Sequence, residues 1–81
     1  MFMKPAARVG DLFFLPPAMR QISVGIPTVL INGMPAAVMG LSGIMHGSTT
    51  VYIGGMRAAR LGDTMVSSHI MTGASNVLIG D

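Results

Sequence analysis

The residues able to do chemistry in this chain are few. There are two histidines, His46 in the segment GIMHGS and His69 in VSSHIMTG, three carboxylates, Asp11, Asp63 and Asp81, and no cysteine. A structural zinc closes a tetrahedron of four nitrogen, sulfur or oxygen ligands, and two histidines supply half of one. Asp11, Asp63 and the thioethers of Met45 and Met71 are the other donors in reach of the argument, although thioethers suit softer ions such as copper(I). His46 and His69 are therefore the metal-ligand candidates, and zinc, another metal ion or no metal at all are the alternatives left open. Hydrolysis has less to work with. No serine, histidine or carboxylate lies in a nucleophile elbow or a metal-hydrolase motif, and the GxGxxG and Walker patterns are absent. The chain reads as a non-enzyme with no catalytic residues.

A second polar signal is one of spacing. Arg8 and Asp11 stand three apart in RVGD, as do Arg60 and Asp63 in RLGD, whereas the related segment VMGL carries Val38 and Leu41 at those places. Losing either charge alone would strand its partner. Their joint loss predicts that each Arg and Asp meet in the folded chain.

These segments belong to a repeat, and repeats take precedence over any local reading. Apolar runs TVLI at 28–31, TVYI at 50–53 and NVLI at 76–79 line up, followed in the two full copies by MPAAV at 34–38 and MRAAR at 56–60. The third copy is split: its returning half, KPAAR, stands at 4–8. Each full copy predicts a β-hairpin, because Asn32-Gly33 and Gly54-Gly55 accept the positive φ of a type I′ turn. A helix over 36–45 is the competing element, weakened by Gly40 and Gly43 and without a cap. NVLIGD and KPAARVGD then pair as a third hairpin made by the two termini, which leaves no long free strand edge. The fold expected is all-β, three hairpins related by an approximate three-fold axis.

At 81 residues and 8.4 kDa there is room for one domain, 1–81. Half the chain is hydrophobic and a tenth charged, against about a quarter charged in ordinary soluble domains, and nothing between Arg20 and Arg57 bears a full charge. That shortage points to a large buried contact with a partner. The uncharged stretch is no membrane span, since Pro27, Pro35 and several glycines cut it well below the required length. Pro5, Arg8 and Asp11 likewise interrupt any signal-peptide core. With no basic patch and few aromatic residues, nucleic acid is not a partner.

The phrases PAARVGD, PTVLINGMPAAV and TVYIGGMRAARLGD resemble the PAAR-repeat proteins over nearly the whole chain. The resemblance implies a compact cone of three β-hairpins that caps the trimeric β-helical spike of a contractile injection machine, whether type VI secretion system, phage tail or related particle. On this chain the family motif falls on Pro5, Ala6, Ala7, Arg8, Pro35, Ala36, Ala37, Arg57, Ala58, Ala59 and Arg60. The implied partner is the C-terminal end of a trimeric spike protein, VgrG-like or phage spike-like, with one copy per trimer. The free chain is then a monomer, touches the target membrane only in passing, and is assembled in the bacterial cytoplasm before delivery outside. A self-assembling homotrimeric spike tip is the alternative. Family members often hold a structural zinc near the vertex through histidines and a cysteine. This chain departs from that pattern. Its first loop replaces ligands with the bulk of Phe13, Phe14, Leu15, Pro16 and Pro17, which is expected to stiffen the tip.

Overall fold

The computed structural model describes residues 3–66 and 68–80. Among them there is no helix, and the strands pair as five small antiparallel hairpins. The chain runs β1 (Lys4–Ala6), β2 (Leu12–Leu15), β3 (Ala18–Gln21), β4 (Ile26–Ile31), β5 (Met34–Ala36), β6 (Tyr52–Ile53), β7 (Met56–Arg57), β8 (Thr64–Met65), β9 (Ser68–His69) and β10 (Ala74–Ile79).

Three of the hairpins are those the repeat predicts. In β4–β5 Ile31 faces Met34, and in β6–β7 Ile53 faces Met56, so both turns hold two residues. Their central residues have φ of 52° and 82° at Asn32-Gly33, and 60° and 83° at Gly54-Gly55. That double positive φ is what a type I′ turn requires. The termini close the third hairpin, with Lys4 opposite Ile79 and Pro5 opposite Leu78. β4 and β10 each bulge before their ends, so that Ile26 and Ala74 come opposite Ala36 and Ala6. The β6 arm is shorter than its equivalents. Ser48 Oγ takes the N–H of Thr50 at 3.2 Å and of Val51 at 3.0 Å, and a hydroxyl that captures nearby N–H groups diverts them from a strand ladder.

The three returning segments meet at the axis through a closed ring of backbone hydrogen bonds. Ala7 N–H donates to Ala59 C=O, Ala59 N–H to Ala37 C=O, and Ala37 N–H to Ala7 C=O, each at 3.0 Å. Around it Val9, Met39 and Leu61 donate to Pro35, Arg57 and Pro5 respectively, each at 2.8 Å. The motif alanines are small because nothing larger fits here: Ala6, Ala36, Ala58 and Ala7, Ala37, Ala59 are all buried. Close approach also explains three glycines outside the turns. A Cβ on Gly25, Gly47 or Gly73 would lie 2.5, 2.9 or 3.0 Å from the carbonyl oxygen of Ala36, Ala58 or Ala6.

This ring divides the core. On one side Ala6, Ala36 and Ala58 join Ile31, Ala74 and Ile79, with Val51, Ile53 and Val77 packed alongside. On the other, Ile22, Ile44, Ile70 and Met65 fill the space beneath the loops. The loops are more regular than the sequence suggests. The first is itself the hairpin β2–β3 and the third the hairpin β8–β9, while the second, around Gly40 and Gly43, stays a pair of turns with positive φ at Gly40, Ser42 and Gly43. Those three conformations are incompatible with the helix considered over 36–45.

Candidate functional site

The hairpin end of the molecule repeats itself three times. Ile31, Ile53 and Ile79 close the last position of each outgoing strand, and Val29, Val51 and Val77 stand two residues earlier. Alternate residues of a strand share a face, and Val51, Ile53 and Val77 all pack on the core below. Val29 is half open to solvent at 37%. On the opposite face Leu30, Tyr52 and Leu78 are equivalent and exposed. The hairpins also lean on one another in sequence around the axis. The Asn32 side-chain amide donates to Asn76 Oδ1 at 2.8 Å, a Cβ on Gly54 would touch Ile26, and the Arg60 guanidinium donates to Gly80 C=O at 2.9 Å.

At the other end each PAAR segment runs into a tight turn that orients a loop. In the first, Arg8 Nε and Nη2 donate to the two carboxylate oxygens of Asp11, both at 3.1 Å, and Arg8 N–H donates to Asp11 Oδ2 at 2.7 Å. Arg60 and Asp63 repeat this at 3.1, 2.9 and 2.7 Å. The pairs the spacing predicts are therefore formed, and each carboxylate also holds its own turn closed. The Asp11 hydrogen bond raises the Arg8 pKa above its ordinary value; partial desolvation opposes this and the Coulombic attraction to Asp11 adds to it. In the second copy Val38 is buried, and its turn relies on the Leu41 N–H to Val38 C=O bond at 3.3 Å.

The histidines stand on the two sides of β8. His69, on β9, lies opposite Thr64, while the Met45 N–H donates to Thr64 C=O at 2.8 Å and places His46 just beyond. Both are exposed. Asp11 and Asp63, the nearest candidates for further ligands, are buried in their arginine pairs. Among the described residues no group of three or more His, Cys, Asp or Glu comes together to hold a metal. The space where the loops converge is apolar, filled by Ile22, Ile44, Ile70 and Met65 with Phe13 against them. The residues present do not fit a four-ligand structural zinc. Phe13 contributes the bulk expected of the first loop, whereas Phe14 points to solvent.

Two sets of residues escaped the sequence reading. Ile22, Ile44 and Ile70, and Gly25, Gly47 and Gly73, each stand at one constant spacing before the apolar runs. Extending the repeat alignment upstream of Thr28, Thr50 and Asn76 would have found both.

Comparison with known proteins agrees with this geometry. No curated protein matches the chain. The PAAR motif, by contrast, matches twice, over residues 1–42 and 42–81, so the two matches together span all three hairpins. The chain belongs to the PAAR-repeat family, the structural spike-tip proteins of contractile injection systems, which sit on a spike within an injection particle.

Proposed function

We propose that this chain, acting over residues 1–81 as a single PAAR domain, caps the end of a trimeric β-helical spike, one copy per trimer, and sharpens it for penetration of the target envelope. The observation that carries the reading is the three-fold equivalence of the hairpin end. Val29, Val51 and Val77 stand at equivalent places around the axis, two residues before Ile31, Ile53 and Ile79; Val29 is exposed, and Val51 and Val77 are half-buried. A trimer ends in three equivalent sets of apolar side chains and unpaired backbone groups. A monomer carrying three equivalent apolar rows can cover all three at once, removing apolar area from water and satisfying backbone groups. The role is mechanical and has no chemical step. The particle is assembled in the cytoplasm and the tip leaves with it.

The test is the mass, by light scattering after chromatography, of this protein mixed with the C-terminal β-helix of a trimeric spike. One copy per trimer is the expected result, and Val29→Asp, at the exposed member of the row, is expected to weaken it without unfolding the chain. A stable homotrimer of this chain, with no binding to the spike, would overturn the reading in favour of a self-assembling tip.

A further inference from the structure

The three hairpins repeat the same valine, isoleucine and alanines but break their symmetry on the outer face. The cross-strand partners there are Leu30 with Pro35, Leu78 with Pro5, and Tyr52 with Arg57. Two hairpins thus carry the same Leu–Pro pair, and in the other both members have changed together.

Geometry makes the changed pair a unit. Ile53 and Met56 flank the two-residue turn, and on the far side the Ala58 N–H donates to Val51 C=O at 2.9 Å. Tyr52 and Arg57 lie between these and form a non-hydrogen-bonded pair, the kind in which facing side chains come closest. Both project from one face of the hairpin. Tyr52, the one tyrosine of the chain, is 55% open to solvent, and Arg57 is half-buried. A Cβ on Gly47 would lie 2.8 Å from the Arg57 Cβ, so backbone covers the root of the arginine and limits the directions open to it. Arg57 also has a backbone N–H, which Pro5 and Pro35 lack, and in such a pair it is not spent on the facing strand.

The charges of the molecule indicate what this pair receives. Arg8 and Arg60 are held by Asp11 and Asp63, whereas Lys4, Arg20 and Arg57 form no ion pair among the described residues. Lys4 faces the buried Ile79, and Arg20 faces Phe13, which packs inward. Of these three cations, only Arg57 faces an exposed aromatic ring. Both carboxylates among the described residues are buried, so neither answers it. A guanidinium takes a carboxylate through parallel N–H bonds, and Tyr and Arg are enriched among the residues that carry most of the energy of protein contacts. One cation beside a ring suits one carboxylate with an apolar neighbour.

Symmetry excludes the spike as the reader of this pair. Three identical ends of a trimer cannot be matched to two Leu–Pro pairs and one Tyr–Arg pair. We propose that Tyr52 and Arg57 form a docking point for a short acidic segment of another protein, present once per tip. A carboxylate of that segment meets Arg57 and an apolar side chain covers the Tyr52 ring. This step takes from the capping reading only the three-fold form of the spike.

The experiment is a titration of the intact, isotope-labelled protein, followed by nuclear magnetic resonance, with the end-blocked peptide Leu-Glu-Leu-Glu-Leu and with Leu-Gln-Leu-Gln-Leu. Saturable shifts centred on Tyr52 and Arg57 are expected with the acidic peptide. Binding of the neutral one, and of the acidic one to Arg57→Gln, should be about tenfold weaker, the loss expected when a hydrogen-bonded charge is removed. Tyr52→Leu with Arg57→Pro gives this hairpin the pair the other two already carry, so the fold should survive and peptide binding should vanish. Leu78→Tyr with Pro5→Arg should add a second site and double the peptide bound, a gain that misfolding cannot imitate. Equal binding of the two peptides, shifts at Arg20 as large as those at Arg57, or no effect of Arg57→Gln would each overturn the proposal. The Tyr52→Leu, Arg57→Pro variant should still join the spike at one copy per trimer, and its loss there would assign the pair to the spike and overturn the proposal. Failure of the wild type to join the spike, with peptide binding intact, would sink only the capping reading.

Discussion

The Thr72 hydroxyl donates to Asp11 Oδ1 at 2.9 Å and accepts the Leu12 N–H at 2.8 Å, so one side chain from the last loop serves the carboxylate and the backbone of the first. Thr72 occupies the place held by Val24 and His46 in the other two copies. Thr72→Val should therefore leave the Leu12 N–H and Asp11 each short of a hydrogen bond and cost about 1–3 kcal/mol. Thr72→Ser should recover most of it. Urea unfolding of the three proteins decides the matter, and equal midpoints would show that the bridge contributes nothing.

The Arg60–Asp63 pair can be compared with the protein's own second copy. Asp63→Leu alone leaves the buried Arg60 guanidinium holding only Gly80 C=O, and a cost of about 3–5 kcal/mol is expected. Adding Arg60→Val reproduces the Val38–Leu41 arrangement and should restore a large part of the loss. A double-mutant cycle by denaturant unfolding measures the coupling. Additive losses would mean that the pair acts as two independent residues.

The raised Arg8 pKa sets the sign of a pH effect. A cation whose folded pKa lies above its unfolded value, as that of Arg8 does, stabilises fully below the unfolded value and loses the contribution only as pH rises through the folded one. Between neutral pH and about pH 10 the arginine is charged in both states, so the difference in melting temperature between wild type and Arg8→Met should be constant there. A difference that shrinks across that window would contradict the assignment.

Gly25 should be the least replaceable of the three close-approach glycines. Its Cβ would meet Ala36 O at 2.5 Å, with Pro35 O also at 3.0 Å, and backbone cannot turn aside as a side chain does. Gly25→Ala is expected to cost about 3 kcal/mol or more, the upper end of overpacking effects. Gly62→Ala meets no atom within 4 Å and strains only its φ of 91°, for about 1–2 kcal/mol. Thermal melts should rank the two in that order.

The apolar packing beneath the loops predicts indifference to metal. Chelator should leave the melting temperature unchanged, and added zinc should raise it little, since ligand stabilisation requires a site that binds the folded state. Ile70→Ala, by contrast, removes a fully buried side chain and should cost about 2–5 kcal/mol. Phe13→Ser should lower the melting temperature by several degrees and Phe14→Ser hardly at all, because only Phe13 packs inward. A large drop on chelation would show a metal that these residues do not account for.

The legible parts of this fold are those with a periodic or chemical signature. Asn32-Gly33 and Gly54-Gly55 announce their turns through φ alone, and the joint loss of charge at Val38 and Leu41 reveals the Arg–Asp contacts without any structure. The split phrase at the ends gives the β1–β10 pairing. The loops were harder to read. β2–β3 has no glycine at its turn, and β8–β9 is too short to show alternation. Their strands depend on bridges to distant segments, such as Phe13 to Ile70, which no local pattern records. The histidines mislead for a related reason. His46 and His69 flank β8 and are exposed, and the space beneath the loops is occupied by isoleucines that the repeat records only upstream of its apolar runs.

The ring through Ala7, Ala37 and Ala59 also bears on how the protein is made. None of its three bonds joins neighbours in sequence, and β1 has no partner strand until β10 exists. The hairpins β2–β3, β4–β5, β6–β7 and β8–β9 join segments close in sequence and can form as the chain emerges, whereas β1 gains its partner strand only when residues 74–79 arrive. Closing the third hairpin is therefore the last step left to the fold.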